Sequence, residues 1–274
     1  MASTTKIVYD PDDGLPVMEV GRWVTEEKHR IIKRYIDASW AARQRFKYQR
    51  SYIDLFAGTG RVKIKHTFAF ADGGPLAAWN MAQQRRGTFS DFFIADADPK
   101  FLEACDARLR KLGAPVRSTV GRADRTIDWV LPKLDPQGFH LALLDPYNAG
   151  NLHFSIIQKL SGLRRIDIVV HLSTGDIQRN IASGLRSESS PLDNFAPEWR
   201  STIRKQSSKQ EMRQAFIGHW KLLVNATGLR VCDTMYPVRN SKDSTMYWLC
   251  LLTKHELAER LWRDACDIRN KTLF

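Results

Sequence analysis

Four short apolar runs in this chain each end on residues that can do chemistry. Tyr52-Ile-Asp-Leu-Phe-Ala-Gly-Thr-Gly60 runs into a glycine pair, and glycines there let a backbone turn tightly and approach a ligand closely. Phe92-Phe-Ile-Ala-Asp-Ala-Asp-Pro99 follows. An acid closing such a run is the acceptor a ribose diol needs; Asp96 is the first choice and Asp98 the second, with helix capping before Pro99 as the competing role. In Val120-Gly-Arg-Ala-Asp124, Asp124 is either an acceptor for an adenine amine or a helix N-cap. In Leu143-Leu-Asp-Pro-Tyr-Asn148, a carboxylate leaves a buried run beside an aromatic ring that can stack on a flat base. A plain turn accounts for Asp145-Pro146 but not for the aromatic. His66, His153, His171, His219 and His255 stand isolated, at no spacing that suggests a metal or a triad.

These residues need a scaffold, and the alternation of apolar runs with amphipathic segments supplies one. Strands are expected at about 52–56, 92–95, 116–120, 141–144 and 166–172, with helices at about 76–85, 99–112, 125–134 and 154–163 between them. That rhythm is the signature of a doubly wound, mostly parallel α/β sheet, in which ligands bind at the carboxyl ends of the strands. Residues 1 to about 20 read as a loose arm. A basic helix is expected over about 25–46, because Ile32, Tyr35, Ile36, Trp40 and Ala41 recur at helical spacing behind Thr25 as N-cap. The alternation in Val62-Lys-Ile-Lys65 suggests a hairpin. A polar segment at about 174–208, broken by Pro191 and Pro197, reads as an irregular or partly helical insertion. A helix at about 212–224, antiparallel strands at 229–234 and 247–253, and a helix at about 255–269 complete the chain.

The 274 residues suit one large domain. A hydrophobic share of 43%, a charged share of 26% and a mean hydropathy of -0.38 exclude disorder, collagen and coiled coil. The apolar runs fall far short of the ~20 residues of a membrane span, and the first residues lack a secretory pattern, so a cytoplasmic protein is expected. Cys105, Cys232, Cys250 and Cys266 are scattered, without metal-ligand spacing, and buried free thiols are expected with no metal. The net charge of +12 is the footprint of a protein that meets polyanions. Nine Lys/Arg against three acids lie between Arg22 and Arg50, and Arg43, Arg45, Lys47 and Arg50 are the candidate nucleic-acid contacts. Arg179, Arg186, Arg200, Arg204 and Lys205 are further candidates, on the insertion acting as a lid.

Taken in order, the D-L-F-A-G-T-G motif, the acid after the second strand, the G-x-x-D after the third and the D-P-aromatic after the fourth resemble a class I S-adenosylmethionine-dependent methyltransferase over about residues 50–254. Lys28-His29 ahead of Ile32 and Tyr35, the Tyr52–Arg61 run, Gly74-Pro-Leu76, Leu144-Asp-Pro-Tyr147 and the Met246-Tyr-Trp-Leu strand resemble more narrowly the three-Cys-motif partner protein (TcmP) family. That group is methyltransferase-like and is associated with a radical-SAM-like protein bearing three cysteines. The resemblance implies a Rossmann-like domain over 51–274, with residues 1–50 as an arm and basic helix packed on it. It implies S-adenosylmethionine as cofactor, held by Asp54, Phe56, Gly58, Gly60, Asp96, Asp98 and Asp124. It also implies an amine of a nucleic-acid base as the methylated group, received by Asp145, Pro146, Tyr147 and Asn148.

The chain departs from the ordinary pattern in two places. About fourteen residues, Arg61–Gly74, separate the glycine loop from the next helix, and D-P-Y-N stands where base-amine methyltransferases carry D/N-P-P-Y/F. The second departure favours a rival reading, an accessory subunit that keeps the fold and binds nucleic acid or the three-Cys partner without catalysis. A nicotinamide enzyme is disfavoured, because Lys63 occupies the last glycine position of G-x-G-x-x-G.

Overall fold

Neighbouring residues of the expected strands serve two different cores, as the period-2 geometry of a sheet covered on both faces requires. Ile53, Phe93, Ala142 and Ile168 join one apolar cluster, while Tyr52, Phe92, Leu141 and Val169 join the other. The computed structural model describes residues 6–84, 89–203 and 208–267. Its strands are β1 (Ile7–Tyr9), β2 (Pro16–Val20), β3 (Arg50–Asp54), β4 (Arg61–Ile64), β5 (Phe70–Asp72), β6 (Asp91–Asp96), β7 (Val116–Val120), β8 (Phe139–Leu144), β9 (Ile166–Leu172), β10 (Arg230–Val231), β11 (Tyr236–Arg239) and β12 (Thr245–Thr253).

The main sheet runs β10-β12-β9-β8-β3-β6-β7, with β11 paired to β12. Strands β7, β6, β3, β8 and β9 are mutually parallel, and β12 enters antiparallel against β9. Helices Arg30–Ala38, Gly74–Gln84, Pro99–Lys111 and Glu256–Cys266 cover one face; Ala123–Val130, Phe154–Ser161, Thr174–Gly184 and Lys209–Ala226 cover the other. This is the Rossmann-like, doubly wound, mostly parallel sheet expected from the sequence. Among the described residues, no helix is long and apolar enough to cross a membrane. Cys105, Cys232, Cys250 and Cys266 are unpaired.

The N-terminal arm is the largest correction. It is not loose: β1 and β2 form a hairpin, and β2 pairs in parallel with β4 of the expected β4–β5 hairpin, making a separate four-stranded sheet. Arg108, buried in the helix after β6, ties this sheet down. Its guanidinium donates to both Asp13 carboxylate oxygens at 2.7 and 2.9 Å, to the Pro16 carbonyl at 3.0 Å and to the Thr59 carbonyl in the glycine loop at 2.6 Å. Arg61 adds an ion pair to buried Asp10 at 2.7 Å.

The basic helix is divided into Val24–His29, a wide π-type turn, then Arg30–Ala38 and Trp40–Gln44. Ser39 marks the second break, donating its hydroxyl to the Tyr35 carbonyl at 2.7 Å. Thr25 does not cap; its hydroxyl donates to the Arg22 carbonyl. The segment after β9 is largely helical, with Trp199, Phe195, Phe216 and Trp220 packed together in the core. Of the expected lid, residues 174–203 do not line the cavity described below; Arg204 and Lys205 lie outside the described residues.

Candidate functional site

The strand order reverses between β3 and β8, where β3 connects onward to β6 on one side and meets β8 on the other. An α/β sheet opens a crevice at such a point, beyond the carboxyl ends of its strands. There a cavity of about 540 Å³ is lined by Asp54, Phe56, Gly58, Gly60, Asp96, Asp124, Asp145, Pro146 and Tyr147 from the sequence expectations, and by Lys28, His171 and Tyr247 besides. Its volume is that of a small-molecule site.

The glycine loop forms the floor. Gly58 and Gly60 have φ of +58° and +75°, the left-handed region that glycine alone enters without strain. A Cβ on Gly58 would stand 2.8 Å from the Met18 side chain. Strand β3 ends at Asp54 because the Phe56 amide donates to its carboxylate at 3.0 Å, turning the chain out of the sheet. Asp54 is 1% exposed, and burial pushes its carboxyl up to about 7, against the opposing hydrogen bond from Phe56.

At the end of β6 the Asp96 carboxylate accepts from the Gly58 amide at 2.9 Å and from the Asp98 amide at 2.9 Å. One side chain thereby holds the loop and faces the cavity, and burial raises its pKa. Asp98 is corrected to a helix cap. Its carboxylate accepts from the Lys100 and Phe101 amides, and it is not among the cavity-lining residues. Asp124 lies in the first turn of its helix rather than at the cap, which is Arg122. It lines the cavity and pairs with Arg122 at 3.1 Å. Against partial burial, that contact lowers its pKa.

The fourth strand end holds the least expected arrangement. In β8 and β9, Leu144 pairs with Val170, so the next residues, Asp145 and His171, emerge side by side. The His171 Nδ1 is 2.8 Å from one Asp145 oxygen, and the Lys28 ammonium makes a short ion pair with the other. Burial alone would raise the Asp145 carboxyl; Lys28 and His171 overcome it and hold the group well below the usual carboxylate range. The Tyr247 ring packs on the His171 ring with centroids 3.9 Å apart, and burial raises its phenol well above the ordinary value. His171 is therefore not isolated, although 26 residues separate it from Asp145.

Pro146 is buried at the wall and Tyr147 stands 66% exposed at the rim. Asn148 is corrected to a structural role: its side chain accepts from the Asn151 amide at 3.1 Å, closing a short turn, and it does not line the cavity. Replacing Lys28 with Met would leave the Asp145 charge without its cation. Breaking a fully buried pair costs ~3–5 kcal/mol, and Asp145 keeps 21% of its side chain exposed, so a loss of roughly 2–3 kcal/mol is expected in urea unfolding. Unchanged stability would contradict the pair.

The candidate nucleic-acid residues are not brought to this site. Arg50 begins β3, whose other end is Asp54; Arg43, Arg45, Lys47 and Arg50 therefore lie toward the amino edge of the sheet, away from the cavity. Arg43 is a core residue, 1% exposed, donating to the Ile36 carbonyl and to Ser39, with its guanidinium 5.0 Å from the Phe89 ring. It cannot reach a phosphate. An exposed guanidinium that does line the cavity is that of Arg122, and exposed Arg125 lies 3.7 Å from the lining residue Asp124.

The chain matches no family model and no curated protein. Solved structures similar to it include WbdD, with a TM-score of 0.42 and 13% identity over 84% of this chain and 40% of that one. The chain thus spans less than half the length of WbdD. Others are cofactor-bound Rv0187 from MTB, with a TM-score of 0.46 and 18% identity over 84% of this chain and 81% of that one, and the METTL16 MTase domain, with a TM-score of 0.48 and 11% identity over 85% and 68%.

Proposed function

We propose that this protein is a methyltransferase that binds S-adenosylmethionine in the cavity between β3 and β8. The observation that carries this reading is the convergence of two positive-φ glycines, two strand-end carboxylates, Asp54 and Asp96, and the first-turn carboxylate Asp124 on one small-molecule cavity. The donor set fits the group chemically. Asp54 is a buried carboxylate with no ion-pair partner among the described residues, and a cationic methionine end would supply one. Asp96 has lone pairs left after its two amide contacts for a ribose diol, and Asp124 an oxygen for the adenine amine. When bound, the cofactor supplies an electrophilic methyl group on sulfur. The chain's own contribution is placement: Pro146 and Tyr147 shape the acceptor side, and proximity lowers the barrier.

The acceptor we infer is a nitrogen of a nucleic-acid base. This rests on the +12 net charge, on the exposed Tyr147 ring as a stacking surface and on Arg122 and Arg125 as phosphate contacts at the rim. A duplex base would have to be flipped to enter; a loop or single strand would not. A cytoplasmic setting goes with such a substrate. Incubation with methyl-tritiated S-adenosylmethionine and separate pools of total RNA and genomic DNA is expected to label bases in one pool. Label in neither would contradict the nucleic-acid substrate.

One observation favours a second reading. Lys28 already occupies the carboxylate assigned to the incoming amine, as it would in an accessory subunit that keeps the fold and serves a three-Cys radical-SAM-like partner without transferring a methyl group itself. Binding of cofactor without label transfer would select it.

A further inference from the structure

Asp145 was expected to accept the target amine directly, yet Lys28 takes one of its oxygens and His171 the other. An ionised carboxylate only accepts hydrogen bonds, so the His171 contact fixes the proton on Nδ1. In the neutral ring the lone pair is then on Nε2. That Nε2 is buried and has no hydrogen-bond partner among the described residues, and the same holds for the Tyr247 hydroxyl whose ring lies against it. Leaving such atoms unpaired is costly. Both residues line the cavity on the acceptor side, next to Asp145 and Pro146. An N–H or O–H group delivered there would give Nε2 its missing donor.

We propose that His171 is the catalytic base of the transfer, with Asp145 as its positioning residue and Lys28 holding Asp145 in place, and that the acceptor is an N–H or O–H group that surrenders its proton. The inference rests on the methyl-transfer reading and deepens it. The acceptor atom's electron pair forms the new bond to the methyl carbon, the carbon–sulfur pair returns to sulfur as a neutral thioether, and the acceptor's proton moves to His171 Nε2. The imidazolium formed is stabilised by the Asp145 carboxylate at 2.8 Å. Asp145 contacts His171 directly, Lys28 contacts Asp145 in turn, and the Tyr247 phenol is stacked on the ring.

The test is long-range proton–nitrogen NMR of the whole protein labelled with ¹⁵N-histidine, with the His171 resonances assigned by their loss in H171Q. In the neutral ring a single tautomer is expected, protonated on Nδ1 and bare on Nε2, and D145N is expected to lose that preference. Sinefungin, which carries an amine where the cofactor carries its methyl, is expected to move the Nε2 resonance, whereas S-adenosylhomocysteine, lacking any group there, leaves it nearly in place. Calorimetry with both compounds runs alongside. An Nε2-protonated ring, or a ring unmoved by sinefungin that demonstrably binds, would overturn the assignment of the base while leaving the cofactor reading intact. Binding of neither compound would overturn the cofactor reading and the base with it. Should D145N fail to fold, the wild-type tautomer and its response to sinefungin decide the matter.

Discussion

Replacing Asp96 with Ala is expected to reduce the affinity for S-adenosylhomocysteine by at least ~100-fold. Hydrogen bonds to a charged group contribute ~1.5–3 kcal/mol each, and a ribose diol would make two. The same carboxylate holds the glycine loop through the Gly58 amide and the start of the next helix approach through the Asp98 amide, so the variant also loosens the floor of the cavity. Asp96→Asn, which keeps an acceptor for one of these amides, should fall between the two. Calorimetric titration checks the ranking, and an Ala variant that binds like wild type would remove Asp96 from the site.

The second large effect is a divergence between stability and binding at Asp54. Burial pushes this carboxyl up to about 7, against an ordinary value of ~3.9. The folded chain therefore holds the proton more tightly than the unfolded chain, and the associated stability, complete at low pH, is lost as pH rises from the ordinary carboxylate range through 7. Asp54→Asn stays neutral throughout. It is expected to exceed wild type in stability by on the order of 3 kcal/mol at pH 8, with the two curves converging toward pH 4. The variant should nonetheless bind S-adenosylhomocysteine ~10-fold or more weakly, having lost a charge-assisted contact to the ammonium group. Urea unfolding at several pH values and calorimetry at pH 8 measure the two effects. A variant that is less stable and binds as well would contradict the role given to Asp54.

What could be read from the sequence follows from which interactions are local. The buried parallel strands announce themselves as short apolar runs, and their ends as the points where Asp54, Asp96 and Asp145 interrupt them or, after β7, where a Gly leads on to Asp124. The folding back of residues 6–20 depends on Arg108, some ninety positions along the chain, and no local pattern reveals a partner at that distance. Asp98 was ambiguous, and Asn148 was read only as a site residue, because a cap and a ligand contact call for the same short polar side chains. Arg43 looked like part of a basic face until its burial against Phe89 removed it. His171 was overlooked although it stands at the end of an apolar strand, Ile-Asp-Ile-Val-Val-His-Leu, in the position that drew attention to the four acids. The rule applied to the first four strand ends holds at the fifth, and the β8–β9 register then brings His171 to Asp145. Lys28 carried a signal only through its place beside His29 in the family resemblance.

Every role proposed above requires the cavity between β3 and β8 to be a working cofactor site. Isothermal titration of the purified protein with S-adenosylmethionine and S-adenosylhomocysteine tests this most directly. Saturable one-to-one binding of both in the micromolar range is predicted; a folded protein that takes up neither would contradict the account.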